Sequence, residues 1–237
     1  MGVCLISRGK INRAGQALRD WAKQSEAGQL PPGEPLHTLL EFRDAHIEPM
    51  LAVSTQITSI LERSDSVEGF VANRLKRTPQ IVAKLVRFPT TKLSQMEDIG
   101  GCRLVVLGDQ TAASSLFDEV CQDVEHIRLR DYVAHPKPSG YRALHLVAQV
   151  GDQRIEIQVR TLAQQEWASA VERAAGRCGE DLKSGAGPDS LHGLLAETAE
   201  LLAAYDRHLG IGDQSLERWR QLRKTNASFL DVNAEAS

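Results

Sequence analysis

No C-x-x-C pair occurs in this chain, although it holds four cysteines, Cys4, Cys102, Cys121 and Cys178. Scattered in this way they offer no zinc-ligand spacing, and a disulfide framework belongs to smaller secreted chains. Four reduced thiols in a cytosol are expected. No apolar run approaches the length of a membrane span. The opening stretch, MGVCLISRGKINRAG, has a short apolar segment followed by charge and lacks the apolar centre of a signal peptide. Gly2 and Cys4 suggest acylation, but Ile6 stands where a myristoylation signal prefers Ser or Thr. A cytoplasmic protein with no membrane partner is the expectation. One-sided charge is missing too. The 28 Lys and Arg nearly balance 31 Asp and Glu, for a formal net charge of −3. That excludes a global attraction to nucleic acid or to an anionic membrane and leaves room for a local basic cleft. There is no internal repeat and no low-complexity tract. There is also no G-x-x-x-x-G-K-[ST] loop, no G-x-G-x-x-G loop and no kinase catalytic-loop pattern, so an ATP site here must be of another design.

What is present is the composition of a globular protein. The 237 residues are 42% hydrophobic and 25% charged, enough to bury a core. Ile11, Ala14, Leu18 and Trp21 recur at helical spacing over residues 11–23. The turn QLPPGEP is read as non-helical because of its prolines and glycine. Residues 36–63 hold a long helical pattern in which Pro49 marks a kink or break. GFVANRLKR reads as a strand or the start of a helix. TPQIVAKLVRF begins with a Thr-Pro helix start and places Ile81, Val82, Leu85 and Val86 as its apolar residues. CRLVVL is a continuous apolar run suited to a buried strand, and TAASSLFDEVCQDV is a helix with Leu116, Val120 and Val124 on one face. HIRLRDYV, RALHLVAQV and RIEIQVR are strand-like, with a hairpin turn at residues 150–153. After Thr161 the chain is helical through TLAQQEWASAVERAA, LHGLLAETAELLAAYDRHL and LERWRQLRKT, with KSGAGPDS as a loop. This order predicts an α+β fold, a mixed central β-sheet with flanking helices. The expected organisation is a helical N-terminal arm over 1–66, a core over 67–175 and C-terminal helices over 176–237.

Chemistry concentrates in the central third. Arg74, Lys76, Arg77, Lys84 and Arg87 fall in one short stretch, and Arg128, Arg130 and Lys137 in another. Arg103 and Arg160 lie at opposite ends of strand-like segments. Such a set holds several phosphates at once or forms a solvated basic face. Two acids interrupt it in apolar settings. Asp98 stands just before IGGCRLVVL. Glu156 alternates with Ile155 and Ile157, so it shares a strand face with Arg154, Gln158 and Arg160. Each acid is either a structural ion-pair member or part of a reactive centre. Two carboxylates facing a phosphate-binding cluster are what a magnesium–nucleotide site requires. Tyr141 emerges from the turn Pro138-Ser139-Gly140. It either stacks on a nucleobase or packs on the core from a strand edge. His145 is a ligand contact or a satisfied strand histidine.

Four segments, RLKRTPQIVAKL, MEDIGGCRLVV, YVAHPKPSGYRALH and EIQVRTLAQQEWA, match in order and spacing the RelA/SpoT-like alarmone synthetases. The chain resembles that family over its central half, and its helical flanks resemble it loosely. The resemblance implies a nucleotidyltransferase-like synthetase fold. It implies transfer of pyrophosphate from ATP to the 3′-hydroxyl of GDP or GTP, making ppGpp or pppGpp with Mg²⁺ as cofactor. It matches Arg74, Lys76, Lys84 and Arg103 to ATP and its phosphates. Asp98 matches the magnesium-binding aspartate. Glu156 matches the catalytic glutamate, which supports the metal or activates the 3′-hydroxyl, with Gln158 beside it. Arg130 and Lys137 match contacts to the acceptor's phosphates, Tyr141 the tyrosine stacked on the acceptor base and His145 a nearby polar contact.

The chain departs from the family pattern at two places. Ser139 stands where many guanosine-specific members carry Asn, which opens the identity of the acceptor base. Gln80 stands where Ser is common near the ATP phosphates. The family's hydrolase domain has no room here and no His-Asp dipeptide, so a small, synthetase-only member is expected. QMEDIGGCR and WASAVERAAG…LKSG resemble the toxic branch, whose members use adenine nucleotides or the 3′ end of tRNA. The overall acidity weighs against a tRNA acceptor. A catalytically dead nucleotide-sensing or partner-binding module is a third reading, against which Asp98, Glu156 and Tyr141 speak. The resemblance also admits a second copy bound through the flanking helices, and a neutralising antitoxin. Leu194, Leu195, Leu201 and Leu202 suit such an oligomer or packing on the chain's own sheet.

Overall fold

The computed structural model describes residues 6–25, 29–64, 67–178, 189–208 and 221. Three helices come first: α1 (Arg8–Gln24), α2 (Gly33–Asp44) and α3 (Ile47–Arg63). They are followed by β1 (Gly69–Leu75), α4 (Thr78–Arg87), a short 3₁₀ turn (Leu93–Gln95), β2 (Gly100–Val106), α5 (Gln110–Asp123) and β3 (His126–Asp131). The remainder is β4 (Leu144–Val150), β5 (Gln153–Thr161), α6 (Leu162–Cys178) and α7 (Asp189–Asp206). The strands form one mixed sheet in the order β1-β2-β5-β4-β3, in which only β2 and β5 run parallel. The α+β expectation is met.

Three local readings change. The QLPPGEP segment is not wholly a turn, because α2 begins at Gly33 and takes Pro35 into its first turn. The first-turn N–H groups have no intrahelical partner, so proline costs nothing there. The break in the second helical stretch falls at Ala45–His46 and not at Pro49, which sits in the first turn of α3 for the same reason. GFVANRLKR is a strand, β1, paired antiparallel with β2. The expected LERWRQLRKT helix and most of the KSGAGPDS loop lie outside the described residues.

Alternation along the strands makes a sheet with two unlike faces. One face carries Cys102, Leu104, Val106, Ile155, Ile157, Val159, Leu144 and Leu146. These pack with Met50, Val53, Ile57 and Ile60 of α3 and Leu116, Phe117 and Val120 of α5 into the main core. Each such fully buried aliphatic side chain contributes about 1.5–3 kcal/mol. Cys102 belongs to this core, and burial pushes its thiol up to about 12. A second cluster joins α1, α2 and α4 through Leu18, Leu39, Ile81 and Leu85.

A third cluster joins Tyr141, Trp167 and Val171 to Leu191, Leu194, Leu195 and Ala199 of α7. Leu194 and Leu195 therefore pack within the chain, and Trp167 Nε1 donates to the Leu195 carbonyl at 2.8 Å. Gly140, with φ of +85°, lies so near α7 that a Cβ there would stand 2.6 Å from the Ala199 Cβ. The 139–141 turn is thus held by a helix some fifty residues away in sequence. At the hairpin between β4 and β5, Gly151 takes a φ of +58°, as a tight turn requires.

Candidate active site

The opposite, polar face of the sheet gathers most of the residues singled out in the sequence. Register places Gly101 beside Glu156 and Arg103 beside Gln158 across β2 and β5. Across β4 and β5 it places His145 beside Gln158 and Val147 beside Glu156. Arg130 pairs with His145 and Arg128 with Val147 on β3, while Arg74 pairs with Gly101 on β1. Arg74, Arg103, Arg128, Arg130, Arg154 and Arg160 therefore share one surface with a single strand-borne carboxylate, Glu156.

Asp98 reaches this face from the segment leading into β2. Lys76, at the end of β1, donates its backbone N–H to the Ile99 carbonyl at 2.8 Å, which extends the ladder and brings the two segments together. Lys76 Nζ then donates to Asp98 Oδ2 at 2.9 Å, and Lys84 Nζ from α4 stands 2.9 Å from Oδ1. Burial works to raise the Asp98 pKa, but the charges of Lys76 and Lys84 outweigh it and hold the carboxyl below its ordinary value. Arg74 lies on the outer part of the cleft, donating to Gln80 Oε1 at 2.8 Å and standing 3.6 Å from Glu172.

Glu156 is held by hydrogen bonds. Gln158 Nε2 donates to Oε2 at 2.6 Å, and His145 Nδ1 donates to Oε1 at 3.1 Å. The other nitrogen of His145 accepts from the Tyr141 hydroxyl at 2.7 Å. Arg160 Nη2 donates both to that hydroxyl and to Gln158 Oε1, at 2.5 and 2.6 Å. The five side chains close a ring, Arg160–Tyr141–His145–Glu156–Gln158. Burial lowers the His145 pKa more than Glu156 raises it, so the imidazole is neutral at pH 7. That fixes its tautomer, with the proton on Nδ1 facing the carboxylate. Burial also works to raise the Glu156 pKa, yet the hydrogen bonds from His145 and Gln158 keep it below the ordinary glutamate value. The charge of Asp98 acts on Glu156 in the raising direction.

Arg103 and Arg160 lie side by side. Burial and the like charge of Arg160 lower the Arg103 pKa, and the Nε atoms of both arginines are buried without a hydrogen-bond partner. Uncompensated buried donors of this kind cost free energy unless a ligand engages them.

Tyr141 departs from one of its two expected environments. It is only 6% exposed, packed against Trp167 and edge-on to Tyr132, and does not stand clear at a loop edge. Lys137 Nζ lies 4.6 Å from the Tyr132 ring centroid and 4.9 Å from that of Tyr141. His145 is the hydrogen-bonded strand histidine described above. Ser139, at the departure from the family pattern, is buried with its hydroxyl unpartnered.

Sequence reasoning passed over Glu97. Its two oxygens are held by Arg128 Nη1 and Arg130 Nη2, each at 2.7 Å. Nothing in strand or helix periodicity marks it, since it lies in a loop. Its one signal is adjacency to Asp98. Tyr132, the second ring beneath Lys137, was also unmarked as a site residue.

The cleft suits a magnesium ion by its donors. Asp98 and Glu156 are both held ionised, and their oxygens are engaged by Lys76, Lys84, His145 and Gln158, partners that a metal ion would share or displace. Among the described residues no group of three or more His, Cys, Asp or Glu side chains is placed to hold a metal ion. Water and phosphate oxygens would complete the shell, as magnesium ordinarily requires.

The fold and its cationic sheet face define the class as an α+β protein with the architecture of the small alarmone synthetases. Small alarmone synthetase 1 from Bacillus subtilis, solved bound to its product pppGpp, superposes with a TM-score of 0.59 at 24% identity, covering 71% of this chain and 94% of that one. A GTP pyrophosphokinase family protein from Streptococcus pneumoniae gives 0.57 at 25% identity, covering 79% and 96%. The family model for the region found in RelA / SpoT proteins matches residues 73–175. The GTP pyrophosphokinase YjbM of Bacillus subtilis is 33% identical over 146 residues, which cover 55% of this chain and 68% of that protein. The chain belongs to the RelA/SpoT family. An uncharacterized protein of Mycobacterium tuberculosis is 34% identical over 191 residues, and there the match spans 78% of this chain but 64% of the relative's length.

Proposed function

We propose that this protein is a magnesium-dependent pyrophosphokinase that moves the β,γ-pyrophosphate of ATP onto the 3′-hydroxyl of a purine nucleotide, GDP or GTP first among the acceptors. The observation that carries the reading is the pair Arg103 and Arg160 on the sheet face that also bears Glu156, their buried Nε atoms without partners, with the charge of Asp98 reaching Glu156. A polyphosphate supplies the oxygens those donors lack.

In this reading Arg74, Lys76, Lys84 and Arg103 hold ATP on the β1–β2 side. Glu156, ionised and aimed by His145 and Gln158, accepts the proton of the 3′-hydroxyl as that oxygen attacks the β-phosphorus and AMP departs. Arg103 and Arg160 offset the charge that develops on the leaving phosphate. A magnesium ion held by Asp98 and Glu156 would supply Lewis-acid charge at the β- and γ-phosphate oxygens. Arg130 and Lys137 hold the acceptor's phosphates on the β3–β4 side. Tyr141, with Tyr132 beside it, provides the aromatic surface for the base once Lys137 turns from the rings to a phosphate.

The test is to incubate the pure protein with γ-labelled ATP and, separately, GDP, GTP, ADP, ATP or tRNA. Label on GDP or GTP supports the reading. Label on ADP, ATP or tRNA moves the assignment to the toxic branch, and no transfer to any acceptor supports a binding module.

A further inference from the structure

The two sides of the polar face differ in how their charge is spent. On the β2–β5 side, Arg103 and Arg160 repel one another and keep unpartnered donors. On the β3 edge, Arg128 and Arg130 are both taken by one carboxylate, Glu97. Glu97 arrives from the segment before β2, with β5 and β4 lying between β2 and β3 in the sheet order, so its ion pairs with Arg128 and Arg130 reach across the polar face. It is well shielded there, with 13% of its side chain exposed. Although burial opposes the charge on Arg130, Glu97 raises that guanidinium above its ordinary value.

We propose that Glu97 is an internal stand-in for an acceptor phosphate, and that it sets acceptor affinity by occupying the Arg128–Arg130 fork until a nucleotide's phosphates displace it. The inference rests on the reading of Arg130 as an acceptor-phosphate contact. One carboxylate with an oxygen on each of two guanidinium groups presents the geometry a phosphate group would. Displacing Glu97 costs every acceptor that uses the fork the same factor, so Glu97 sets how tightly such acceptors bind. The same acid offsets the repulsion between two neighbouring like charges, the exposed Arg128 and the partly buried Arg130, when no nucleotide is bound.

The experiment compares wild type with Glu97→Gln, which keeps the shape and removes the charge. Affinity for GDP, for GMP and for inorganic pyrophosphate is measured by calorimetry, and acceptor KM by label transfer from γ-labelled ATP. Expected is tighter binding of GDP and pyrophosphate by about fivefold or more, with a matching fall in acceptor KM. The GMP affinity gains by the same factor if its phosphate uses the fork, and does not change if it does not. A merely structural role for Glu97 would leave KM unchanged or raise it. The effect should vanish when Arg128 and Arg130 are both replaced by Ala. If Glu97→Gln fails to fold, Glu97→Asp, too short to reach both arginines, is measured instead and should show the same direction. Unchanged or weaker GDP affinity in a folded variant, with transfer still observed, overturns the inference alone. If no nucleotide binds wild type or variant, the acceptor reading itself falls, and this inference with it.

Discussion

Tyr141 and Glu156 hold the two nitrogens of one imidazole between them: the phenol donates to His145 Nε2 and the carboxylate accepts from Nδ1. The tyrosine at the turn and the acid on β5 therefore belong to one hydrogen-bonded unit, closed through Arg160 and Gln158. A change at either end is felt at the other.

Glu156→Gln keeps the shape of that unit and removes the base. Transfer of label from ATP should fall by roughly 10²–10⁴-fold, with an unchanged far-UV spectrum and a cooperative melt. A purified variant with wild-type turnover would reject the role given to Glu156.

Asp98→Ala should also abolish turnover, for a different reason. It removes the carboxylate assigned to the metal and leaves Lys76 and Lys84 facing each other without their shared partner. A stability loss of about 1–3 kcal/mol is expected from the stranded ammonium groups. Denaturant melts check this, and added magnesium should no longer stabilise the nucleotide complex.

Tyr141→Phe keeps the ring and deletes the hydroxyl between Arg160 and His145. The acceptor KM should change little if the ring carries the base contact, while kcat falls roughly tenfold as His145 and Glu156 lose their fixed aim. A raised KM with unchanged kcat would show that the hydroxyl serves binding and not alignment.

Gly140→Ala tests the bracing of this turn. A side chain at φ +85° is strained, and its Cβ would meet Ala199 at 2.6 Å. A cost of about 1–3 kcal/mol from the backbone alone is expected, seen as a lower denaturation midpoint, with activity lost as Tyr141 is displaced. Unaltered stability would mean that α7 does not rest on the turn.

Stability should fall with acidification in two stages. The folded His145 pKa lies below the ordinary 6.5. Once the pH drops under about 6.5, the unfolded chain binds a proton there that the folded chain refuses. Asp98 and Glu156 also have lowered folded values. Their contribution is complete above their ordinary carboxylate pKa values and is lost as the pH falls through the lowered ones. The melting temperature measured against pH should decline first below about 6.5 and again below about 4.5. Asp98→Asn should soften only the second decline, and a flat profile from pH 7 to 5 would reject a neutral, buried His145.

Much of this site was legible because strand alternation is a local rule. The period-two pattern around Glu156 put Arg154, Gln158 and Arg160 on its face, and the structure keeps them there. The helices around Leu18, Leu85 and Leu116 were equally plain, since each buries one stripe. What escaped was non-local. Glu97 clamps residues on the far edge of the sheet from a loop without periodicity, and Tyr141 is buried by α7, which no pattern near residue 141 announces. Pro49 misled because its residue type signals a break, whereas its position in a first turn does not.

The division of the sheet into an apolar and an arginine-rich side has a bearing on how such a protein changes over time. Odd and even positions of the same strand answer to separate demands, so a substitution that retunes nucleotide choice need not disturb the residues that keep the chain folded. Relatives that differ widely at Arg103, Arg130 or Gln158 would still be expected to share the hydrocarbon packing behind them.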